Sequence, residues 1–482
     1  MNLKEKSISG VKWSSASMLL VTVFKFGTLA ALSRILSPAE FGLMGMVMVV
    51  VGFFQTFSDM GLSNAIIHEI NVKQNDLSSL FWTNIFFGIL LFILFTFIRP
   101  LAVTYFRQNA LYDYLFYASF IFLISPPKQI ITTLLRKNLM FSTLSKLDVA
   151  SEIIYAVSAI GLALSGFGVA SLIFGMLIQN MLMVICQFIL IRKIWRPGLY
   201  LNLTEIKDYL SFGAFQLGER ISNYLNANID YIIIGRFLGV EALGYYTLAY
   251  NLMMVPLNRI NPIIMRVAVP IFSIIQDDAA KLRRGYIKAV RYITTLTFPM
   301  LAGMLVVAPE FVRVVYGNRW EPSIMLLQAF CLAGAIKSTT NPAGSVLIAK
   351  GRADIGFYWN VFVLIVISAA VLAGVHWGIL GVAISIVIVM VPLFFIIHQI
   401  ICRIVGLKIS SLLNSMKTPF YGSLFMMLII MMVKLVLNDI NMIMLLTFNI
   451  IIGAAVYSFF YFMKDKEMYV ELKSVLLGKI AS

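Results

Sequence analysis

Two stretches set the terms on which this chain can fold. Ile153–Ile191 and Ile355–Cys402 contain no Asp, Glu, Lys or Arg, and each is long enough to cross a bilayer twice. Gly166-Phe167-Gly168 interrupts the first and Gly378–Gly381 the second, so each reads as a hairpin of two spans. Ser79–Ile98 and Ile440–Met463 are single charge-free crossings. A chain that is 60% hydrophobic, with a mean hydropathy of +0.90, is built for lipid. Backbone amides left unpaired in hydrocarbon are costly, and the alternation of a membrane β-barrel is absent, so the spans are expected to be helices. About fourteen such runs are present. They start near residues 11, 41, 79, 111, 147 and 168, then 209, 242, 289, 322, 355 and 379, and finally 416 and 441.

The chain also repeats itself. Arg34-Ile35-Leu36-Ser37-Pro38-Ala39-Glu40-Phe41-Gly42 returns as Arg236-Phe237-Leu238-Gly239-Val240-Glu241-Ala242-Leu243-Gly244, with Arg, Leu and Gly in register. Ser165-Gly166-Phe167-Gly168-Val169-Ala170 returns as Gly378-Ile379-Leu380-Gly381-Val382-Ala383. The expected architecture is therefore an all-α polytopic membrane protein. It has two six-helix lobes related by a pseudo-twofold axis along the membrane normal, plus two C-terminal helices. The boundaries are 1–192 for the first lobe, 193–208 for an interfacial linker and 209–404 for the second lobe. Helices 13 and 14 occupy 405–463, and 464–482 form an amphipathic tail with Met468, Leu472, Val475 and Leu476 at helical spacing.

Loop charges fix the orientation. Of 38 Lys and Arg, 25 fall on one side, seven on the other, and six lie inside spans. The positive-inside rule puts both termini in the cytoplasm, and the net charge of +16 is largely this signal, with no nucleic-acid partner implied. The basic N-terminus lacks a small-residue cleavage site and is expected to remain as the first span.

Lys25, Lys128, Arg220, Arg259, Arg266 and Lys337 are the six cations within spans. Each costs about 2.5–3.5 kcal/mol at mid-membrane, too much for six lipid-facing positions. They fall in spans one, four, seven, eight and ten, which include the corresponding pairs one with seven and four with ten. A shared water-filled cavity is the simplest place for them. In span seven, Glu219, Asn223, Asn226 and Asp230 recur every three or four residues and so share one helical face. Lys128 follows Ser125-Pro126-Pro127, and Lys337 opens Ser338-Thr339-Thr340-Asn341 before Pro342. Proline frees carbonyls that are tolerable only beside protein or water. Arg266, Lys128 and Asp59 lie near span ends, where side chains can reach headgroups. Asp148 and Glu152 are expected to pair with Lys146 or to sit at the interface. The cations suit phosphate oxygens, and the cavity-facing residues are read as substrate-binding. Glu219, Asp230 and Asp59 are the carboxylates that could bind H+ or Na+ as a coupling ion.

Enzyme chemistry finds no foothold. His68, His376 and His398 are scattered and read as structural or interfacial, and Cys186, Cys331 and Cys402 sit singly in apolar runs. There is no phosphate-binding loop with its Lys-Ser/Thr, so ATP hydrolysis is not expected, and no cofactor or metal is expected either. Gly235–Gly239 and Gly374–Gly378 match small-xxx-small helix packing. Trp195, Pro197 and Tyr200 suit a lipid–water boundary, and Asp277-Asp278 reads as solvated.

Leu210-Ser211-Phe212-Gly213, Asp230-Tyr231-Ile232-Ile233-Ile234-Gly235-Arg236-Phe237-Leu238-Gly239, Ala242-Leu243-Gly244-Tyr245-Tyr246 and Ala249-Tyr250 together resemble polysaccharide flippases. Pro256, Pro270, Arg283-Arg284 and the first-half Arg34, Leu36, Phe41-Gly42 and Asp59-Met60-Gly61-Leu62 extend the match. The resemblance is to Wzx-type exporters of the multidrug/oligosaccharidyl-lipid/polysaccharide superfamily, in the branch of colanic-acid and teichuronic-acid exporters, over spans one to twelve. It implies translocation of undecaprenyl-pyrophosphate-linked repeat units across a bacterial inner membrane for O-antigen, capsule or exopolysaccharide. Membrane lipids, a polysaccharide polymerase and other assembly proteins are the implied partners. The family carries no universal catalytic motif, so the cavity residues rest on the membrane argument. The rivals are an ion-coupled multidrug antiporter of the same superfamily, whose usual cationic cargo fits six intramembrane cations poorly, and a membrane glycan polymerase or ligase.

Overall fold

A computed structural model describes residues 3–58, 66, 73–192, 194–202, 207–437, 440–468 and 470–471. Its regular structure among those residues is helical. The first helices are α1 (Leu3–Ile35), α2 (Pro38–Ser58), α3 (Gln74–Phe106), α4 (Leu111–Ser119), α5 (Ile121–Lys137), α6 (Phe141–Leu164) and α7 (Val169–Ile191). They are followed by α8 (Lys207–Phe237), α9 (Gly239–Ile274), α10 (Ala279–Val315), α11 (Pro322–Ser338) and α12 (Thr340–Ala349). The last four are α13 (Ala353–Gly374), α14 (Gly378–Val405), α15 (Ile409–Val436) and α16 (Met442–Lys464). Counting α4–α5 and α11–α12 as one broken crossing each, helices stand at all fourteen expected positions. Eleven stretches among the described residues are long and apolar enough to cross a membrane, with α13 and α14 counted as one. Apolar side chains such as Phe97, at 78% exposure, face outward, as a hydrocarbon surround requires. The chain is a multi-pass membrane protein.

By contact the chain divides into Met1–Gly244 and Tyr245–Ser482. The expected boundary at 193–208 follows the repeat, whereas this division follows packing: α8 lies against α2 and so belongs to the first unit. Within that unit α6 packs on α1 and α7, and α5 on α3 and α7. The linker lies on α3: Trp82 Nε1 donates to Gly198 O (2.8 Å), Gly198 N to Ser78 Oγ (3.0 Å) and Asn202 N to Ser79 Oγ (3.0 Å). Trp195, expected at the lipid–water boundary, is instead only 3% exposed, with its ring 5.6 Å from that of Phe81. Its ring joins a core that includes Leu80, Ile131 and Ile191.

The repeated motif has a structural reason in each part. Ser37 and Glu40 form a reciprocal cap at the start of α2, with Ser37 N donating to Glu40 Oε2 at 2.7 Å. Arg236 donates to the Thr104 and Tyr105 carbonyls at the end of α3, where a cation complements the helix dipole. The two final glycines face each other's helices: a Cβ on Gly42 would lie 1.7 Å from Val240 O, and one on Gly244 1.9 Å from Pro38 O. Glycine in both copies lets the starts of α2 and α9 touch through backbone. The small-xxx-small reading is corrected at its second members. Gly239 and Gly378 have φ of +83° and +71° and open space around them, so they turn the chain. Gly374 does pack, but against Gly381 and Val382 across the α13–α14 hairpin.

In the second unit α10 packs against α11, α15 and α16, and α14 against α11 and α13. Lys434 ties α15 to α10 through Glu310 Oε2 at 2.7 Å. The segment after α16 returns to α10 through Lys288–Glu471 (2.6 Å) and Arg291–Asp465. The expected tail residues Leu472, Val475 and Leu476 lie outside the described residues. Asp278, expected to be merely solvated, caps α10: its Oδ1 accepts from Lys281 N at 3.0 Å, and Lys281 Nζ pairs with Oδ2 at 3.1 Å. These bonds, the backbone one first, hold its carboxyl below the usual aspartate range.

Candidate functional site

Lys25 and Lys128 share neighbours in the first unit, and Lys337 sits at a helix break in the second. In the first unit, packing of α1 on α6 puts Lys25 Nζ 3.3 Å from Glu152 Oε1. Lys25 is thus a partner of Glu152 from a helix far away in sequence, beside the expected neighbour Lys146. The Lys25 side chain is 57% exposed and that of Glu152 14%. Lys128 Nζ donates to Asn180 Oδ1 on α7 (2.7 Å), and Asn180 Nδ2 donates to Met176 O (2.7 Å). Asp148 interacts electrostatically with Arg136, Lys128 and Lys25 together. Gln179 joins the same helices by donating to Ser151 O and Oγ (3.1 and 2.8 Å). Lys25 and Lys128 are thus brought together, around acids from α6.

On α8 the polar stripe is helical as expected, with Asn223 exposed, Asn226 half-buried and Asp230 buried. Asp230 Oδ1 accepts from Tyr231 N at 2.9 Å. Arg220 is half-buried on the same helix. A neighbouring face carries Tyr224, whose hydroxyl donates to Val49 O (2.7 Å), and Gly235, which approaches Met46 and Phe106. The Glu219 side chain and Asp59 lie outside the described residues.

In the second unit, Arg259 is half-buried and Arg266 exposed on α9. Lys337 Nζ donates to Tyr250 Oη at 2.7 Å and lies 5.3 Å from the centre of that ring. Tyr250 in turn stacks on Tyr246, with 5.8 Å between ring centres. Next to Lys337 the helix breaks between α11 and α12, and every freed carbonyl finds a donor. The hydroxyls of Ser338, Thr339 and Thr340 donate to the carbonyls of Ala335, Ile336 and Lys337, each at 2.8 Å. Ser338 O faces Pro342, which has no N–H, and accepts instead from Asn261 Nδ2 (3.4 Å). The sequence Ser-Thr-Thr before proline signals this break. His398, Tyr286 and Tyr250, which contact the break and its lysine, come from helices far away in sequence that no local pattern connects to it. Among the described residues no group of three or more His, Cys, Asp or Glu could hold a metal.

The fold is that of a multi-pass helical membrane protein and is similar to the fold of the lipid II flippase MurJ. That inward-closed structure superposes with a TM-score of 0.76 at 16% identity, covering 94% of this chain and 99% of MurJ. Residues 31–325 match the polysaccharide biosynthesis protein family, and the chain belongs to it. It is 34% identical over 482 residues to the teichuronic acid biosynthesis protein TuaB of Bacillus subtilis (strain 168), covering 99% of each. It is also 32% identical over 426 residues to the lipopolysaccharide biosynthesis protein WzxC of Escherichia coli (strain K12), covering 88% of this chain and 87% of WzxC.

Proposed function

We propose that this protein is a flippase, moving polyprenyl-pyrophosphate-linked oligosaccharide units across the bacterial inner membrane by alternating access. The observation that carries this reading is chain-long similarity to two surface-polysaccharide biosynthesis proteins in a fold shared with a lipid II flippase. Both termini lie in the cytoplasm in this reading, and the product feeds surface polysaccharide assembly alongside a polymerase. No covalent bond changes, so the protein is a transporter and not an enzyme.

Lys25, Lys128, Arg220, Arg259, Arg266 and Lys337, with Asn223 and Asn226, supply the electropositive, hydrogen-bonding path for a pyrophosphate–sugar headgroup. Ammonium and guanidinium groups form charge-assisted bonds to phosphate oxygens, and a low-dielectric surround strengthens them. Asp230, Glu219 and Asp59 are the carboxylates through which H+ or Na+ couples to closure. The test is reconstitution in vesicles with a polyprenyl-pyrophosphate glycan and an imposed ion gradient. The reading requires headgroup transfer to the opposite leaflet, and protein-free transfer rates with every such lipid would end it. Efflux of cationic drugs from a sensitive strain, without glycan transfer, would instead identify a multidrug antiporter. New glycosidic bonds in the product would identify a polymerase or ligase.

A further inference from the structure

His398 on α14 is fully buried and has no part in the scheme above. Both ring nitrogens are engaged: Nδ1 lies 2.7 Å from Tyr286 Oη on α10, and Nε2 lies 3.0 Å from Thr339 Oγ1 at the α11–α12 break. Phe394, one turn earlier on α14, covers the ring edge-to-face with centres 4.4 Å apart.

The protons can be assigned by counting donors. Thr339 has one hydroxyl hydrogen, which we assign to Ile336 O, 2.8 Å away. Towards His398 its oxygen can therefore only accept, so Nε2 carries the hydrogen. Nδ1 is then the bare nitrogen and accepts from the Tyr286 hydroxyl. One neutral tautomer satisfies all three side chains. A second ring proton would meet the Tyr286 oxygen and displace that phenol's hydrogen in a site built of apolar side chains. Thr339 is also the residue at which α11 stops and α12 starts, two positions after Lys337.

We infer that His398 is a positioning residue for transport: as a neutral Nε2–H imidazole it straps the Thr339 break to α14 and α10 and so fixes where Lys337 presents its ammonium. The inference rests on the flippase reading for its transport readout. Gln carries a donor NH2 and an acceptor carbonyl on one planar group, so it can replace both ring contacts, whereas Leu can replace neither.

The experiment compares wild type, His398→Gln, His398→Leu, Thr339→Ser and Thr339→Val in the vesicle assay, each with and without Lys337→Met. Transfer should fall at least tenfold in His398→Leu and Thr339→Val and stay within threefold of wild type in His398→Gln and Thr339→Ser. On the Lys337→Met background His398→Leu should cost less than a further twofold. The pH profile of His398→Gln should superimpose on that of wild type between pH 5.5 and 8.5. Loss in Gln equal to that in Leu, full additivity with Lys337→Met, or a pH dependence that disappears in His398→Gln would each overturn the strap. Should His398→Leu fail to fold, the Thr339 pair carries the same comparison. A readout independent of transport separates the two readings: 15N spectra of the histidine rings, with the His398 signal identified by its loss in His398→Gln. A neutral Nε2–H signature in a protein that moves no glycan sinks the flippase reading alone, and an imidazolium or Nδ1–H signature sinks the strap alone.

Discussion

Spans four and ten are two versions of one element, and they solve the same problem differently. Each carries a lysine beside proline inside a membrane helix. In the first half the prolines sit within the continuous α5, and α3 closes onto them. Gly88 leaves room beside Phe122 O and Pro126, and Asn84 Nδ2, one turn away on α3, donates to Pro126 O at 3.3 Å. Its lysine, Lys128, is held by the Asn180 amide with Asp148 in electrostatic reach. In the second half the helix parts into α11 and α12, a ladder of hydroxyls takes up the carbonyls, and Lys337 meets a phenol and its ring face. The first arrangement compensates charge. The second orients it against a phenol and its ring face.

The most severe test of that contrast is removal of the two lysines. Lys337→Ala should lower glycan transfer by about ten- to a hundredfold, the size of a lost hydrogen bond to a charged group, about 1.5–3 kcal/mol. Lys128→Ala should cost only a few-fold, because its charge already serves Asn180 and Asp148. Equal losses in the vesicle assay would erase the distinction between the halves.

The amide donors come next. Asn261→Leu leaves Ser338 O facing a proline, with no replacement N–H, and should destabilise the protein by about 1–3 kcal/mol. Asn84→Leu should cost less, because Pro126 O lies inside α5, where the helical ladder offers it the N–H of Ile130. Thermal unfolding in one detergent ranks the two, and the reverse order would mean that the α11–α12 break is held by something other than its donors.

A smaller effect is expected at the first-half ion pair. Glu152→Gln removes the partner of a lysine that is mostly exposed, so the stability change should stay below about 1 kcal/mol. A larger drop in unfolding temperature would show that the pair works as a buried one, and Lys25 would leave the list of groups open to a substrate.

How far these differences could be read in the chain depends on their range along it. Charge-free runs and Gly166-Phe167-Gly168 are local signals, and helices stand where they place them. Ser338-Thr339-Thr340 before Pro342 is local too, and it marks the break. Glu152 with Lys25, Asn180 with Lys128, and His398 with Thr339 are contacts between helices far apart in sequence. Periodicity fixes the face of a helix but not which helix that face meets. Trp195 shows the same gap: its composition suits an interface, and only the docking of 194–202 on α3 shows that it is buried.

The finest comparison lies at the starts of spans three and nine, which also correspond across the repeat. Asp76 on α3 reaches back to Lys73 N at 3.4 Å, a long and exposed bond. Asp278 precedes α10 and accepts from Lys281 N at 3.0 Å while pairing with the Lys281 ammonium. The second cap is the better formed, so Asp278→Ala should speed amide exchange over residues 279–284 more than Asp76→Ala does over 74–79. The pH dependence has a definite sign. The folded-state pKa of Asp278 lies below the ordinary 3.8, so its contribution is present above that value and is lost as pH falls through the lower one. In wild type, protection of 279–284 should therefore weaken on acidification below about pH 4, and Asp278→Ala should show no such step. A step that survives in Asp278→Ala would mean that another carboxylate caps α10, and the two helix starts would then no longer differ through Asp278.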